Sequence, residues 1–198
     1  MQILEVNGLR KVYTTRFGGA SVEALKNINF SVENGEYVAI MGESGSGKTT
    51  LLNILAGLDK PTSGSVLLDG KDLASIKESD RAAFRRDHLG FVFQEFNLLD
   101  TFSVEDNIYL PLVLAGVPQR ELSARLEPIA ARLGITELLK KYPYEISGGQ
   151  KQRAAVARAI ITNPRFCLPT SRPAHWTPRR RTSCCVYSPT SAAAGRRS

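Results

Sequence analysis

The spacing of apolar residues predicts a small antiparallel sheet near the start of the chain. Apolar and polar residues alternate from Ile3 to Tyr13 and again from Val22 to Val32, and the polar stretch between them contains two glycines. This alternation is typical of strands that bury one face. We therefore expect these two stretches to pair as antiparallel strands.

A strand, a glycine-rich turn and a helix follow in order. Residues 36–41 form a nearly continuous apolar run, which is typical of a buried parallel strand. The stretch after Gly47 places four leucines on one helical face before a glycine and a proline end it. These leucines are Leu51, Leu52, Leu55 and Leu58, and the helix is expected to stop at Gly57 and Pro61.

The remaining pattern predicts an α/β core that is interrupted by a helical insertion. Residues 63–70 and 89–94 read as strands, and residues 79–86 read as a helix capped by Ser79 or Asp80. From about residue 95 to about residue 150 the apolar spacing is helical, with breaks at prolines and glycines.

Residues 42–49 carry the first chemical motif. They fit the pattern G-x-x-x-x-G-K-[ST] and lie between a predicted strand and a predicted helix. The glycines allow backbone N–H groups to point at phosphate oxygens, and the helix N-terminus adds a positive dipole. Lys48 would bind the β- and γ-phosphates, and the Thr49 hydroxyl would hold Mg²⁺. The expected nucleotide-binding residues are Gly42, Glu43, Ser44, Gly45, Ser46, Gly47, Lys48, Thr49 and Thr50.

A second glycine-containing helix start lies about 100 residues further along the chain. Ser147 precedes Gly148, Gly149 and Gln150, and a predicted helix follows. Serine is a preferred helix cap, so this pattern alone also fits an ordinary helix start. Its distance from the first motif, with Gln94 between the two, favours a second anion-binding helix terminus.

With these motifs, residues 1 to about 164 resemble the ATP-binding subunit of ABC transporters. The resemblance implies a P-loop NTPase core with a mixed sheet, an antiparallel β subdomain and a helical subdomain at about residues 95–150. It implies that Tyr13 stacks on adenine and that Gln94 contacts Mg²⁺ and couples to the membrane subunit. Residues 147–150 match the signature motif, which faces the γ-phosphate held by a second subunit.

The resemblance also implies a function and its partners. The sequences of three segments are most similar to the bacitracin-type, antimicrobial-peptide branch of the family, which is close to the macrolide and lipoprotein exporters. These segments are residues 41–64, 91–101 and 146–153. We therefore expect an ATPase that uses ATP and Mg²⁺, forms a homodimer around two ATP molecules and drives a membrane permease. The sequence has neither an apolar run long enough to span a bilayer nor a signal-peptide pattern, so a cytoplasmic location at the membrane's inner face is expected.

The last 34 residues differ from the rest of the chain. Residues 1–164 contain 19 Lys+Arg and 19 Asp+Glu, whereas residues 165–198 contain seven Arg and no acidic residue. The net charge of +7 therefore arises entirely in this segment, which also has little apolar framework. Its cysteines, Cys167, Cys184 and Cys185, lack the spacing of a metal site. We expect residues 165–198 to be a disordered tail and the core to end before the Walker B strand.

The family pattern requires an Asp-Glu pair and then a histidine after the signature helix, and residues 146–198 contain no Asp or Glu. The catalytic Walker B Glu is therefore missing. The switch His is missing too, since His175 has no apolar strand before it. A one-base shift of the reading frame explains the difference. In that frame, Leu168 to Thr177 can encode Ala-Asp-Glu-Pro-Thr-Gly-Ala-Leu-Asp, and the final Leu-Asp step is forced by His175 and Trp176.

We interpret the segment as the product of a frameshift near Arg165, which makes the chain as it stands inactive in hydrolysis. In the alternative interpretation, the chain is a nucleotide-binding fragment without transport activity. An arginine-rich tail that binds nucleic acid is a rival, since such tails bind phosphates nonspecifically. No specific nucleic-acid partner is expected.

Overall fold

Two sheets and a group of helices make up the part of the chain that the structure describes. The computed structural model describes residues 2–14, 19–93, 95–169 and 183–187. In chain order the elements are β1 (Gln2–Tyr13), β2 (Val22–Glu33), β3 (Tyr37–Met41), α1 (Lys48–Leu55), β4 (Ser63–Leu68), β5 (Lys71–Asp72), α2 (Glu78–His88), β6 (Leu89–Val92), α3 (Val104–Leu114), α4 (Gln119–Leu133), α5 (Gly148–Ile160), β7 (Phe166–Pro169) and β8 (Ser183–Tyr187).

The first sheet is antiparallel and has the strand order β2-β1-β4-β5. Leu4 pairs with Val32 on one side and with Leu68 on the other, so these three apolar side chains lie in one row. All three are almost completely buried. The predicted pairing of the first two strands is confirmed, because their alternation places the apolar residues on one face.

The second sheet is mixed and has the order β3-β8-β7-β6. Strands β6 and β7 are parallel, with Leu89 opposite Phe166. Strand β8 runs antiparallel to β3, with Ala39 opposite Cys185. The predicted buried, parallel character of β3 is therefore not observed, and Met41 at its end is 62% exposed.

The sheet extends further along the chain than the sequence predicts. Residues 166–169 form a parallel strand beside β6, and residues 183–187 also form a strand, so neither segment is the disordered tail that was expected. Phe166, Cys167 and Leu168 are buried, which explains why the core continues beyond residue 164. The sequence predicted that the core ends before the Walker B strand. A strand, β7, is instead present after residue 164, so that prediction is wrong. The remainder of the predicted tail lies outside the described residues.

Helix α1 stops at Gly57, as predicted, and therefore does not reach Leu58. Leu51, Leu52 and Leu55 are buried against the sheet, as expected, but Leu58 is 59% exposed. The helix ends at Leu55, and Gly57 has the left-handed φ of 64° that stops it. Leu58 therefore lies beyond the helical face on which the sequence placed it.

Helix α2 starts differently from the prediction. Its N-terminal cap is Lys77, which makes no capping side-chain hydrogen bond. Ser79 and Asp80, the predicted caps, lie inside the first turn, where the Ser79 hydroxyl donates to the Asp80 carboxylate. Glu78 and Asp80 still favour this helix start because their charges complement the helix dipole.

Helices α3, α4 and α5 form an apolar cluster of their own. Its fully buried members include Ile108 and Leu112 of α3, Leu126 and Ala130 of α4, and Ala157 of α5. The predicted helical subdomain is confirmed, since this cluster is separate from the one that joins the antiparallel sheet to α1.

Asn107 connects this subdomain to the loop that precedes it. The side chain is fully buried, its Oδ1 accepts from the Leu99 N–H at 2.7 Å, and its Nδ2 lies within hydrogen-bond distance of three backbone carbonyls. These carbonyls belong to Leu99, Phe102 and Ser103. One amide therefore satisfies several backbone groups of a loop that has no regular structure.

Replacing Asn107 with alanine should destabilise the protein by about 2–4 kcal/mol, since buried backbone groups would lose their partner. Chemical denaturation measures this free energy of unfolding. The matched control is Gln119→Ala, which removes an exposed amide from the start of α4 and should change stability by less than about 0.5 kcal/mol. Equal effects of the two substitutions would contradict the role assigned to Asn107.

Candidate functional site

The loop between β3 and α1 has the geometry of an anion cradle. Gly45 and Gly47 have left-handed φ values of 80° and 86°, which side chains rarely adopt. Helix α1 begins directly after Gly47, and its first turn contains no acidic residue. The backbone N–H groups of this turn and the positive end of the helix dipole therefore remain suited to a phosphate.

Gly47 also makes a close backbone contact with β2. A Cβ at this position would lie 2.3 Å from the Ala24 carbonyl oxygen and 2.9 Å from Leu25 Cδ2. Only glycine fits here without movement of the backbone. The contact fixes the loop against the antiparallel sheet, so the second sheet and the first sheet both determine its position.

Lys48 follows the loop in sequence, and its side chain folds back over the loop residues. Its ammonium group donates to the carbonyl of Gly42 at 3.0 Å and to Ser46 Oγ at 3.1 Å, and it also contacts the carbonyl of Glu43. These neutral acceptors hold the amine without neutralising its charge. A cation surrounded by loop backbone is arranged to meet an anionic ligand in the same cradle.

The residues of the loop fit a nucleoside triphosphate with its magnesium ion. Thr49 lies in the first turn of α1 and is exposed, so its hydroxyl is available to a metal. Mg²⁺ is commonly bound through substrate phosphates with few protein ligands, so one hydroxyl beside a phosphate cradle fits it.

Tyr13, the predicted adenine-stacking residue, lies at the end of β1 and is 43% exposed. Its hydroxyl donates to Asp59 Oδ2 at 2.8 Å, and the Lys11 ammonium lies 4.8 Å from the centre of its ring. The sequence did not indicate these two partners, because Asp59 lies 46 residues away in the loop after α1.

Ser147 caps α5 as the sequence predicts. Its hydroxyl accepts from the Gln150 N–H, and Gln150 Oε1 accepts from the Ser147 N–H at 2.8 Å, so the two residues form a capping box. A Cβ added to Gly148 or Gly149 would meet no atom within 4 Å. The exposed residues 147–149 therefore leave room for a ligand or a protein surface, while their predicted contact with nucleotide stays a prediction.

Gln94, the predicted magnesium and coupling residue, lies outside the described residues. The turn just beyond it is held by Arg158 of α5, which donates to the carbonyls of Phe96 at 2.7 Å and Asn97 at 2.6 Å. Phe96 and Asn97 both have left-handed φ values, 59° and 48°, a conformation that asparagine tolerates but that is unfavourable for phenylalanine.

Burial lowers the pKa of Arg158, although the pKa of arginine is so high that the guanidinium stays protonated. A charged group therefore stabilises a strained turn through two hydrogen bonds. Sequence reasoning missed this contact, since nothing in the spacing of residues 96 and 158 indicates it. The second motif helix is thus attached to the segment that follows Gln94.

A comparison with known families identifies the class of protein. The family described as "ABC transporter" matches residues 25–169. The chain therefore belongs to the ABC transporter family, as the two motifs predicted.

Two curated relatives indicate the branch of the family. The chain is 50% identical over 164 residues to the "Bacitracin export ATP-binding protein BceA" of Halalkalibacterium halodurans, which covers 83% of this chain and 64% of that relative. It is 45% identical over 166 residues to the "Macrolide export ATP-binding/permease protein MacB" of Syntrophobacter fumaroxidans, covering 83% of this chain and 23% of the relative. The predicted similarity to the bacitracin branch, near the macrolide exporters, is confirmed.

A solved structure supports the fold. The "Dimeric structure of a post-hydrolysis state of the ATP-binding cassette MJ0796 bound to ADP and Pi" is 36% identical, with a TM-score of 0.71, and the match covers 84% of this chain and 72% of that one. The predicted P-loop NTPase fold with a mixed sheet and two subdomains is confirmed. In the described part of the chain, no helix is long and apolar enough to cross a bilayer.

Replacing Gly47 with alanine should weaken ATP binding at least about tenfold, because the new Cβ would clash with the Ala24 carbonyl. Gly116→Ala is the matched control: it has a similar φ and a Cβ there meets nothing within 4 Å, but it lies after α3, away from the loop. Equilibrium binding of a fluorescent ATP analogue measures both variants. If Gly116→Ala weakens binding as much as Gly47→Ala, the close contact is not what places the loop.

Replacing Arg158 with lysine should lower stability by about 1–2 kcal/mol, because an ammonium cannot hold both carbonyls in the planar geometry of a guanidinium. Arg153→Lys serves as the control, since Arg153 is exposed on the same helix. Thermal unfolding compares the two, and a smaller loss in Arg158→Lys than in Arg153→Lys would refute the prediction.

Proposed function

We propose that the intact product of this gene is the ATP-binding subunit of an ABC exporter that removes a peptide antibiotic or a lipid-linked substrate. The observation that carries the proposal is the loop of residues 42–48, in which a lysine ammonium lies among backbone groups at a helix start. The name of the bacitracin-export relative supports the substrate class. The chain spans 64% of the length of that relative, so transport itself depends on more than these residues.

In this proposal, each motif has one task. Residues 42–50 hold the triphosphate and its Mg²⁺, Tyr13 stacks on the base, and Gln94 senses the metal. Residues 147–150 of a second copy close the site, so the protein acts as a homodimer. The dimeric cassette bound to ADP and Pi supports this arrangement, since it shares the fold at 36% identity.

A permease would contact the groove beside the turn at residues 96–97. The groove has a volume of about 530 Å³ and lies between α2, β6, α3 and α5. Phe93, Leu110 and Leu114 line it, and Leu114 is 68% exposed. An exposed apolar groove of this kind is suited to a protein partner. Binding there would place the protein on the inner face of the membrane.

Hydrolysis is where this chain departs from the proposed activity of the intact product. The attacking water needs a carboxylate to orient it, and Glu145 is the last acidic residue in the sequence. In the shifted frame, the Asp-Glu codons begin beside Pro169, the last residue of β7. Restoring the frame would therefore place two carboxylates at the end of a strand that is already parallel to β6.

The alternative is that the chain functions only as a nucleotide-binding fragment. The loop at residues 42–49 is complete, and no carboxylate follows Glu145 in the sequence. For the 198-residue chain, these two features fit the alternative as well as they fit the first proposal. The two proposals differ in whether restoring the frame produces an enzyme.

In the presence of Mg²⁺, the 198-residue chain should release phosphate from ATP only at the background rate. Loss of a water-positioning group lowers the rate by a factor on the order of 10² to 10⁴. A version with the reading frame restored near codon 165 should hydrolyse ATP. Phosphate release by purified protein measures both, with Lys48→Ala in the restored version as the control. Turnover by the unrestored chain well above that control would overturn the prediction, and a restored chain without activity would favour the fragment.

A further inference from the structure

We propose that Asp59 and Lys11 are positioning residues that hold the ring of Tyr13 ready for the base of the nucleotide. The inference deepens the proposed function and rests on it. It assigns to the loop after α1 a part in recognising the base, in addition to the phosphate contacts made at the start of that helix.

Three side chains form a connected network at the end of β1. Lys11 Nζ donates to Asp59 Oδ1 at 2.6 Å, and the Tyr13 hydroxyl donates to the other oxygen, Oδ2, at 2.8 Å. Lys11 also donates to the carbonyl of Lys60 at 2.7 Å. Both oxygens of one carboxylate are thus used, one for the cation and one for the phenol.

The network leaves the aromatic ring accessible. The side chain of Lys11 is only 12% exposed and that of Asp59 28%, whereas Tyr13 is 43% exposed. A half-exposed ring fixed by better-buried charged groups is unusual for a residue that only fills the core. The arrangement instead presents a flat, oriented surface to solvent.

The strand pairing places this surface beside the phosphate loop. The Ala24 carbonyl touches Gly47, and the neighbours of Ala24 in β2, Glu23 and Leu25, pair with Val12 and Lys11 of β1. Tyr13 is the next residue along β1. The ring and the loop are therefore connected by one pair of strands, so a ligand bound in the loop can extend its other end toward the ring.

The position of Lys11 favours an aromatic ligand. Its ammonium lies 4.8 Å from the ring centre, where it is attracted by the negative face of the ring. The cation withdraws electron density from the ring, and the exposed part of Tyr13 is available for stacking. A flat, electron-rich purine is suited to such a face.

Asp59 is ionised near neutral pH, so it can accept the hydrogen bond from the Tyr13 hydroxyl throughout that range. Its partial burial would raise the pKa, but the hydrogen bonds from Lys11 and Tyr13 outweigh that effect, and the pKa of Asp59 lies below its usual value. The carboxylate therefore stays ionised and continues to accept the phenol hydrogen bond.

The test separates base recognition from phosphate binding. The dissociation constants of ATP and of inorganic triphosphate, which has no base, are measured for the 198-residue chain by calorimetry. Tyr13→Ala should weaken ATP about ten- to hundredfold through loss of stacking, with triphosphate unchanged. Tyr13→Phe and Asp59→Asn should each weaken ATP about three- to tenfold, again without an effect on triphosphate.

A double variant shows whether Asp59 acts through the Tyr13 hydroxyl. Once Tyr13→Phe has removed that hydroxyl, Asp59→Asn should weaken ATP binding by a smaller factor than it does in the wild-type chain, because only its contact with Lys11 remains to be lost. Glu23→Gln is the matched control, because Glu23 is a carboxylate on the adjacent strand that pairs with Arg10 at 2.6 Å. It should leave the binding of both ligands unchanged.

The outcomes distinguish the two proposals. A wild-type chain that binds neither ATP nor triphosphate would refute the proposed function itself. If the wild-type chain binds both ligands, two results would refute only the positioning role. One is an Asp59→Asn variant that weakens triphosphate as much as ATP; the other is an effect of Asp59→Asn on ATP that is undiminished in the Tyr13→Phe background. If Asp59→Asn does not fold, Tyr13→Phe still tests the hydrogen bond between Tyr13 and Asp59, since it removes only one exposed hydroxyl.

Discussion

The contact between Gly47 and the Ala24 carbonyl is the constraint on which the site depends. It holds the loop before α1 against β2 of the antiparallel sheet, and it leaves no space for a side chain at the last residue of the loop. Helix α1 and Lys48 begin directly after this residue, so their position is tied to that of β2. A glycine there is required by its left-handed φ and by the neighbouring backbone together.

The parts of the fold that follow from local chemistry could be predicted from the sequence. The alternation in β1 and β2, the glycine loop before α1 and the Ser147 cap of α5 each depend on residues that are close in the chain. The contacts of Asp59 with Tyr13 and of Arg158 with the turn at residues 96–97 could not, because they join residues that are far apart in sequence. Such contacts are determined by the packed fold rather than by any periodic pattern.

The segment after residue 164 shows where pattern and structure separate. Phe166 to Leu168 are apolar and bury themselves beside β6 whatever their origin, because a sheet accepts any short apolar strand of suitable length. Catalysis requires particular side chains at particular positions, whereas burial in a sheet requires only apolar residues. The strand forms in a segment whose sequence contains no Asp or Glu, so packing alone does not supply an acid group at its end.

Arg158 has a mechanical consequence. It lies ten residues after Gly148, about 15 Å along the axis of α5, so the helix behaves as a stiff rod between its capped end and the turn that Arg158 holds. A tilt of the rod that starts at Ser147, where a second copy would touch it, has to displace the carbonyls at residues 96–97 or break two strong hydrogen bonds. The two ends of α5 therefore move together, so a displacement at Ser147 is transmitted to residues 96–97.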